Sequence, residues 1–262
     1  MFRKNKLAML VSEFLGTGAL TLTVLSLTHS QLSLPYFVAT AAGLTLTLMV
    51  VALAGISGAV FNPALTIGLW TVRKLRTLQA LSYVIAQFGG AAAAWYLFLY
   101  FTQLHDVKNN GAYEPRVLVA EVTGTFIFAF SVAAAVYQRL SLGLKGLMVG
   151  GGLIMGALVA SLGSAGILNP AVAYSLHQWG WGTYVLGPVL GAVLGFNLYN
   201  LLFVQTEVAE VAEAKAEAAE AVAASEEKVS KPVVKTTAAQ RTAARKTSAR
   251  KAPAKRKAPA KK

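Results

Sequence analysis

Long apolar stretches dominate the chain as far as about residue 205. Six of them cover residues 7–28, 35–56, 78–101, 117–138, 146–165 and 181–204. A helix that crosses a bilayer needs about 20 predominantly apolar residues, and these stretches are long enough. They lack the opposed polar and apolar faces that helices of a soluble domain show. The pattern predicts six membrane-spanning helices and argues against a soluble domain with a very apolar core.

Basic residues mark one side of this body. They occur within residues 3–6, 73–76 and 139–145 and in the end of the chain, while the loops between them are uncharged or of mixed charge. Because Lys and Arg concentrate in cytoplasmic loops, both termini are predicted to be cytoplasmic. The first stretch is too long for a cleaved signal and carries Glu13, so we expect a retained first helix in a multi-pass protein of the plasma membrane.

The body contains an internal repeat over about residues 7–101 and 117–204. The Glu-x-x-Gly-Thr pattern that begins at Glu13 recurs at Glu121, and Asn62-Pro63-Ala64 recurs as Asn169-Pro170-Ala171. The first Asn follows its Glu by 49 residues and the second by 48. With three spans each, the halves have opposite orientation, an inverted repeat typical of channels and transporters.

Each Asn-Pro-Ala marks the start of a short helix, because Asn is a favoured N-cap and Pro fits the first helical position. Helices over 62–70 and 169–177 would each be about 13 Å long, roughly half of the hydrocarbon core. Entering from opposite faces, they would meet at the midplane with their positive N-terminal ends together. The Asn62 and Asn169 amides would then donate into a lumen that suits water or a neutral polar solute and opposes cations.

These residues resemble the aquaporin, or major intrinsic protein, family. Ser57-Gly58-Ala59-Val60-Phe61-Asn62-Pro63-Ala64-Leu65-Thr66 is similar to its first signature, and Gly166-Ile167-Leu168-Asn169-Pro170-Ala171 to its second. Ala86-Gln87 and Gly187-Pro188 also fit the family pattern. The resemblance covers about residues 5–205. It implies an all-α membrane fold of six helices plus two re-entrant half-helices, assembled as a homotetramer with one pore per subunit.

The constriction departs from the family pattern. Val172 follows the second Asn-Pro-Ala where the family usually has Arg, and the other three constriction positions map onto Ala42, Ala157 and Gly166. These side chains offer neither a hydrogen-bond donor nor a fixed charge, so we expect a wide, apolar constriction. Two alternatives stay open: Tyr174 or Phe37 narrows the pore, or the apolar ring dewets and gates it.

Glu13 and Glu121 lie inside predicted spans, where carboxylates are costly and usually functional. One interpretation is a proton relay in a coupled transporter. The other is a buried acceptor for free backbone N–H groups of the re-entrant loops. Their matched positions in the two repeats favour the structural interpretation, as the family resemblance also implies.

Catalytic and metal chemistry is not indicated. The chain has no Cys, and its three His, at positions 29, 105 and 177, are widely spaced. No phosphate-binding loop of the Walker type and no Ser/His/Asp set is evident. We therefore expect a protein that is not an enzyme and needs no cofactor or metal.

The end of the chain differs in composition from the body. Residues 206–230 predict an Ala/Glu-rich helical linker, and residues 231–262 are rich in Lys, Arg, Ala and Pro and predict a disordered tail. This tail is either merely solvated or a contact with anionic lipid; nucleic acid is a weaker alternative because no aromatic residue interleaves the basic ones.

The sequence thus predicts a passive channel for water and small neutral solutes within residues 1–205. Two other functions remain in view. One is a proton-coupled secondary transporter that uses Glu13 and Glu121. The other is a closed structural or tethering membrane protein that acts through its basic tail.

Overall fold

The computed structural model describes residues 4–30, 32–104 and 111–204, together with 218, 219 and 222. Its helices are α1 (Lys4–His29), α2 (Pro35–Ser57), α3 (Pro63–Thr71), α4 (Thr77–Thr102), α5 (Pro115–Tyr137), α6 (Leu142–Ala160), α7 (Pro170–Ser175) and α8 (Leu186–Tyr199). π-helical turns precede α8 at Trp181–Val185 and follow it at Asn200–Val204. The chain divides into the units Met1–Ala209 and Glu210–Lys262. Apart from the three isolated residues, the predicted linker and tail lie outside the described part.

The six predicted spans are confirmed as six helices long and apolar enough to cross a membrane. The fifth is displaced: α6 covers Leu142–Ala160 rather than 146–165. The Ser141 side chain caps its start by accepting from the Leu144 N–H, and Ser161 caps its end. Gly143 and Gly146 lie near this start, and glycine is a poor helix former, so the sequence pattern indicated a later start although Ser is a favoured N-cap.

The second half-helix is also shorter than predicted. The structure gives α3 nine residues but α7 only six, about 9 Å of helix. The chain leaves the helix near Leu176, and His177 has a φ of 56° in the left-handed region. A helix cannot continue through that conformation, so the predicted range of 169–177 was too long.

The two halves pack in equivalent ways. Helices α1 and α4 contact each other closely in the first half, as α5 and α8 do in the second. Helices α2 and α6 join the halves at Gly43 and Gly150, each of which lies 19 residues before its Asn. A Cβ on Gly150 would collide with the Gly43 carbonyl oxygen and the Thr47 hydroxyl. Small residues thus let the two backbones cross in direct contact, as is common between helices in lipid.

The outer faces of the helices are apolar. Leu48 in α2, Ile85 in α4 and Leu147 in α6 are 65%, 66% and 60% exposed. Such side chains suit a hydrocarbon environment, and they leave the polar groups of the body facing its interior. Buried polar residues include Glu13, Glu121, Asn62 and Asn169.

Candidate functional site

A cavity of about 230 Å³ lies between the two halves. Helices α1, α2, α5 and α6 and the segments around both Asn-Pro-Ala motifs form its wall. The cavity is lined by both motif asparagines and by all four predicted constriction residues, Asn62, Asn169, Ala42, Ala157, Gly166 and Val172. The structure therefore brings together residues that are up to 130 positions apart in the chain. The volume of the cavity is several times the roughly 30 Å³ that one water molecule occupies in the liquid.

Each motif asparagine caps its short helix. Asn62 Oδ1 accepts from the Ala64 N–H at 2.9 Å, and Asn169 Oδ1 accepts from the Ala171 N–H at 3.1 Å. Pro63 and Pro170 occupy the first helical positions, where a missing N–H costs nothing. Because Oδ1 of each amide is held by these donors, its Nδ2 must point away from the helix.

The two Nδ2 groups bind the opposite half of the molecule. Asn62 Nδ2 donates to the Leu168 carbonyl oxygen at 2.9 Å, and Asn169 Nδ2 donates to the Phe61 carbonyl oxygen at 3.0 Å. An amide nitrogen carries two hydrogens, so each Asn has a second hydrogen that this bond does not use. The starts of α3 and α7 are thereby joined directly.

The residue before each Asn has a left-handed backbone. Phe61 has a φ of 51° and Leu168 a φ of 56°. For a residue with a bulky side chain this conformation is rare and costs about 1 kcal/mol or more. Both side chains are fully buried, and both residues are held at N–H and carbonyl. Their carbonyl oxygens are held by the hydrogen bonds from the Asn169 and Asn62 side chains described above.

A carboxylate holds the N–H groups in each half. Glu13 Oε2 accepts from the Phe61 N–H at 2.7 Å, and Glu13 Oε1 from the Val60 N–H at 3.1 Å. Glu121 Oε2 accepts from the Leu168 N–H at 2.8 Å, and Glu121 Oε1 from the Ile167 N–H at 3.1 Å. Both Glu side chains have zero exposure. Irregular backbone at membrane depth is thus supplied with acceptors from the spans beside it.

These carboxylates have further partners that the sequence patterns did not predict. The Ser57 hydroxyl donates to Glu13 at 2.7 Å and the Ser164 hydroxyl to Glu121 at 2.8 Å. Each Ser lies five residues before its Asn, so the repeat itself contained the signal. Gln87 Nε2 also donates to Glu13, at 2.8 Å. No spacing rule indicated that contact.

The constriction positions are occupied by small or branched apolar residues only. None of the described residues that line the cavity is charged. Tyr174 packs on Trp179 with a centroid distance of 5.8 Å, and Phe37 packs on Tyr36 at 5.6 Å. Neither ring is among the described lining residues. Within the same part of the chain, no cluster of three or more His, Asp or Glu side chains is placed to hold a metal ion.

Known proteins share this architecture. Aquaporin AqpM of Methanothermobacter marburgensis is 33% identical over 183 residues, which cover 61% of this chain and 74% of that protein. Aquaporin Z of Photorhabdus laumondii is 29% identical over 228 residues, which cover 76% of this chain and 98% of that protein. The X-ray structure of the aquaglyceroporin from Plasmodium falciparum superposes with a TM-score of 0.62 and 18% identity, covering 75% of this chain and 96% of that chain, and shows the same fold.

The sequence model of the major intrinsic protein family matches residues 3–199, nearly the whole helical body. With six spans and aquaporin relatives, the protein is an integral multi-pass membrane protein. The chain belongs to the major intrinsic protein family, whose members are membrane channels for water or small solutes.

Proposed function

We propose that the cavity is part of a passive pore for water and small neutral solutes, with Asn62 and Asn169 at its centre. The observation that carries this proposal is that both asparagines line one cavity while their Oδ1 atoms are fixed by helix caps. This arrangement leaves amide hydrogens available to a passing solute. The positive ends of α3 and α7 beside them oppose cations.

Ala42, Ala157, Gly166 and Val172 form the constriction in this proposal. Since pore width and lining donors set selectivity, such a ring passes neutral solutes larger than water. Glu13 and Glu121 have a structural role, holding the re-entrant backbone. This role is supported by the hydrogen bonds that each carboxylate accepts from two adjacent backbone N–H groups. Glu13 binds those of Val60 and Phe61, and Glu121 binds those of Ile167 and Leu168.

Stopped-flow light scattering on proteoliposomes of the full chain tests the pore. We expect water, glycerol and urea fluxes above those of empty liposomes, without saturation and without a pH gradient. Val172→Arg adds bulk and charge at the ring, so it lowers glycerol and urea flux more than water flux. Val172→Ile is the matched control, since it adds one methylene and no charge.

The same liposomes discriminate the other two functions. Flux that saturates and follows an imposed pH gradient would indicate a coupled transporter, and Glu13→Gln or Glu121→Gln would then abolish the coupling. Absence of all flux would indicate a closed pore and favour a tethering protein. In that case deleting residues 206–262 abolishes the binding by the tail while the body still folds in the membrane.

The assembly and topology are proposed on the same basis. We infer a homotetramer with one pore per subunit. We also propose that the protein lies in the plasma membrane with both termini in the cytoplasm. Native mass spectrometry of the detergent-solubilised chain tests the tetramer. Protease protection in sealed vesicles tests the termini, because cleavage of the tail requires access to the cytoplasmic face.

We also propose three parts of the chain: a channel of residues 1–205, a linker of 206–230 and a basic tail of 231–262. Eleven basic residues and no acidic residue follow Pro232, which suits contact with anionic lipid. Flotation of a peptide of residues 231–262 with phosphatidylserine vesicles tests this contact. Equal binding to phosphatidylserine and neutral vesicles would contradict a charge-based contact, and binding to neither would leave the tail merely solvated. A DNA mobility shift checks nucleic acid.

A further inference from the structure

The backbone donors beside the cavity are directed into the protein. Ala165, Gly166 and Ile167 are consecutive residues of the non-helical segment that lines the cavity. Their N–H groups donate to the Tyr184 hydroxyl at 3.4 Å, the Ser164 hydroxyl at 2.9 Å and Glu121 at 3.1 Å. Three adjacent donors at the edge of the cavity are therefore unavailable to a solute.

The hydroxyl donors of the wall are used in the same way. The hydroxyl of Thr28 donates to the Val24 carbonyl at 2.9 Å, that of Ser161 to the Leu158 carbonyl at 2.7 Å, and that of Ser164 to Glu121 at 2.8 Å. A hydroxyl has one hydrogen, so each of these groups can only accept from a solute. The wall thus offers lone pairs but few hydrogens.

Apolar side chains form most of the remaining surface. Besides the constriction ring, the cavity is lined by Leu20, Val24, Val38, Leu46, Phe128, Leu153 and Leu176. The donors that the described bonds leave on lining side chains are the second amide hydrogens of Asn62 and Asn169, deep in the cavity, and the hydroxyl of the exposed Ser33, just before α2. Apart from the exposed Ser33, the side-chain donors are therefore confined to the two motif asparagines, and the other lining side chains are apolar or accepting.

We propose that this cavity selects neutral solutes with one polar group on an alkyl body, such as short aliphatic amides, over polyhydroxylated solutes of the same size. The inference rests on the proposed pore and specifies its substrate class. A single carbonyl can accept from the asparagine amides while the alkyl part lies against the apolar wall, where burial is favourable. Each additional hydroxyl of the solute loses the hydrogen bonds that water donated to it and finds no donor on the apolar wall. The passage of a polyhydroxylated solute is therefore disfavoured.

Propionamide and glycolamide provide a matched pair, because they differ only by a terminal methyl in place of a hydroxyl. Their uptake is measured by stopped flow in proteoliposomes of the full chain, and the rate in empty liposomes is subtracted. We expect the protein-dependent rate for propionamide to exceed that for glycolamide by about fivefold or more, since an unmatched hydroxyl costs at least about 1 kcal/mol. Osmotic water flux is recorded in the same preparation.

Val172→Asn supplies the decisive variant, because it adds an amide with two hydrogens, of which one backbone carbonyl can take only one, on a side chain no larger than that of valine. It should move the rate ratio toward one, whereas Val172→Ile, which adds only apolar bulk, should not. A native ratio near or below one, in liposomes that conduct water, overturns the inference but leaves the pore intact. Absence of water flux overturns the proposed pore itself. If Val172→Asn does not fold, the native ratio still decides.

Discussion

Asn62 and Leu168 lie in different halves of the chain, and the Asn62 Nδ2 atom donates to the Leu168 carbonyl oxygen at 2.9 Å. The Asn169 amide makes the equivalent bond to the Phe61 carbonyl oxygen at 3.0 Å. Each bond caps a strained residue of one half with a side chain of the other. The two re-entrant segments are consequently interdependent, and the centre of the cavity is assembled only when both are in place.

This reciprocity predicts the behaviour of alanine variants. Asn62→Ala removes a helix cap, worth about 1 kcal/mol, and leaves the buried Leu168 carbonyl without its donor, at about 1–3 kcal/mol. Asn169→Ala does the same to Phe61. Because the two residues share one network, we expect the double variant to lose less stability than the sum of the single variants. Thermal unfolding in detergent, followed by tryptophan fluorescence, measures all three; strict additivity would contradict the shared network.

The carboxylates give a graded prediction. Glu121→Gln keeps one oxygen for Ser164 and Ile167 but turns an amide N–H₂ toward the Leu168 N–H, which was bound to Oε2 at 2.8 Å. We expect a loss of about 1–3 kcal/mol of unfolding free energy, the cost of one buried unmatched donor. Glu121→Met leaves the Ile167 and Leu168 N–H groups both unmatched, while the Ser164 hydroxyl keeps the Ala160 carbonyl as an acceptor at 3.0 Å, so it should lose markedly more than the Gln variant.

The readout that separates a structural carboxylate from a proton carrier is solute flux per folded protein. A structural Glu121 leaves the Gln variant conducting passively, with the same response to pH as the native chain. A Gln variant that folds normally but no longer responds to a pH gradient would instead support the relay. Reconstitution of equal amounts of monodisperse protein makes the comparison valid.

The left-handed backbone at Leu168 changes the expected order of stability of its alanine and glycine variants. Leu168 is fully buried, so both Leu168→Ala and Leu168→Gly lose packing. Glycine adopts a φ of 56° without the steric cost that alanine retains, about 1 kcal/mol. We therefore expect Leu168→Gly to be at least as stable as Leu168→Ala, although glycine usually destabilises a chain relative to alanine. A clearly lower melting temperature for the Gly variant would contradict the strain at this residue.

Local and repeated features made much of this structure predictable. The spans follow from the length of the apolar stretches, and the starts of α3 and α7 follow from Asn and Pro alone, since caps are short-range signals. The end of α7 was not predictable, because the turn at His177 depends on packing outside the helix. The contacts of Asn62 with Leu168 and of Gln87 with Glu13 join residues 106 and 74 positions apart, and no local pattern encodes such pairs.

Two adjacent glycines of α6 offer an internally controlled test of the helix crossing. A Cβ at Gly150 would collide with the Gly43 carbonyl oxygen and the Thr47 hydroxyl of α2, whereas a Cβ at Gly151 would meet nothing within 4 Å. Since backbone contacts cannot yield as flexible side chains do, Gly150→Ala must push α2 and α6 apart. We expect it to lower the melting temperature and to alter solute flux, because Ala42, Leu46, Leu153 and Ala157 of these helices line the cavity.

Gly151→Ala should behave in the opposite way. It adds a methyl group to a half-buried position with open space around the added Cβ, and it replaces a poor helix former with a good one, which stabilises a helix by up to about 1 kcal/mol. The native flux should be unchanged, since that position does not contact α2. Measuring both variants by thermal unfolding and stopped flow separates the effect of the crossing from the effect of a glycine in a helix. Equal behaviour of the two variants would mean that the α2–α6 contact does not set the width of the cavity.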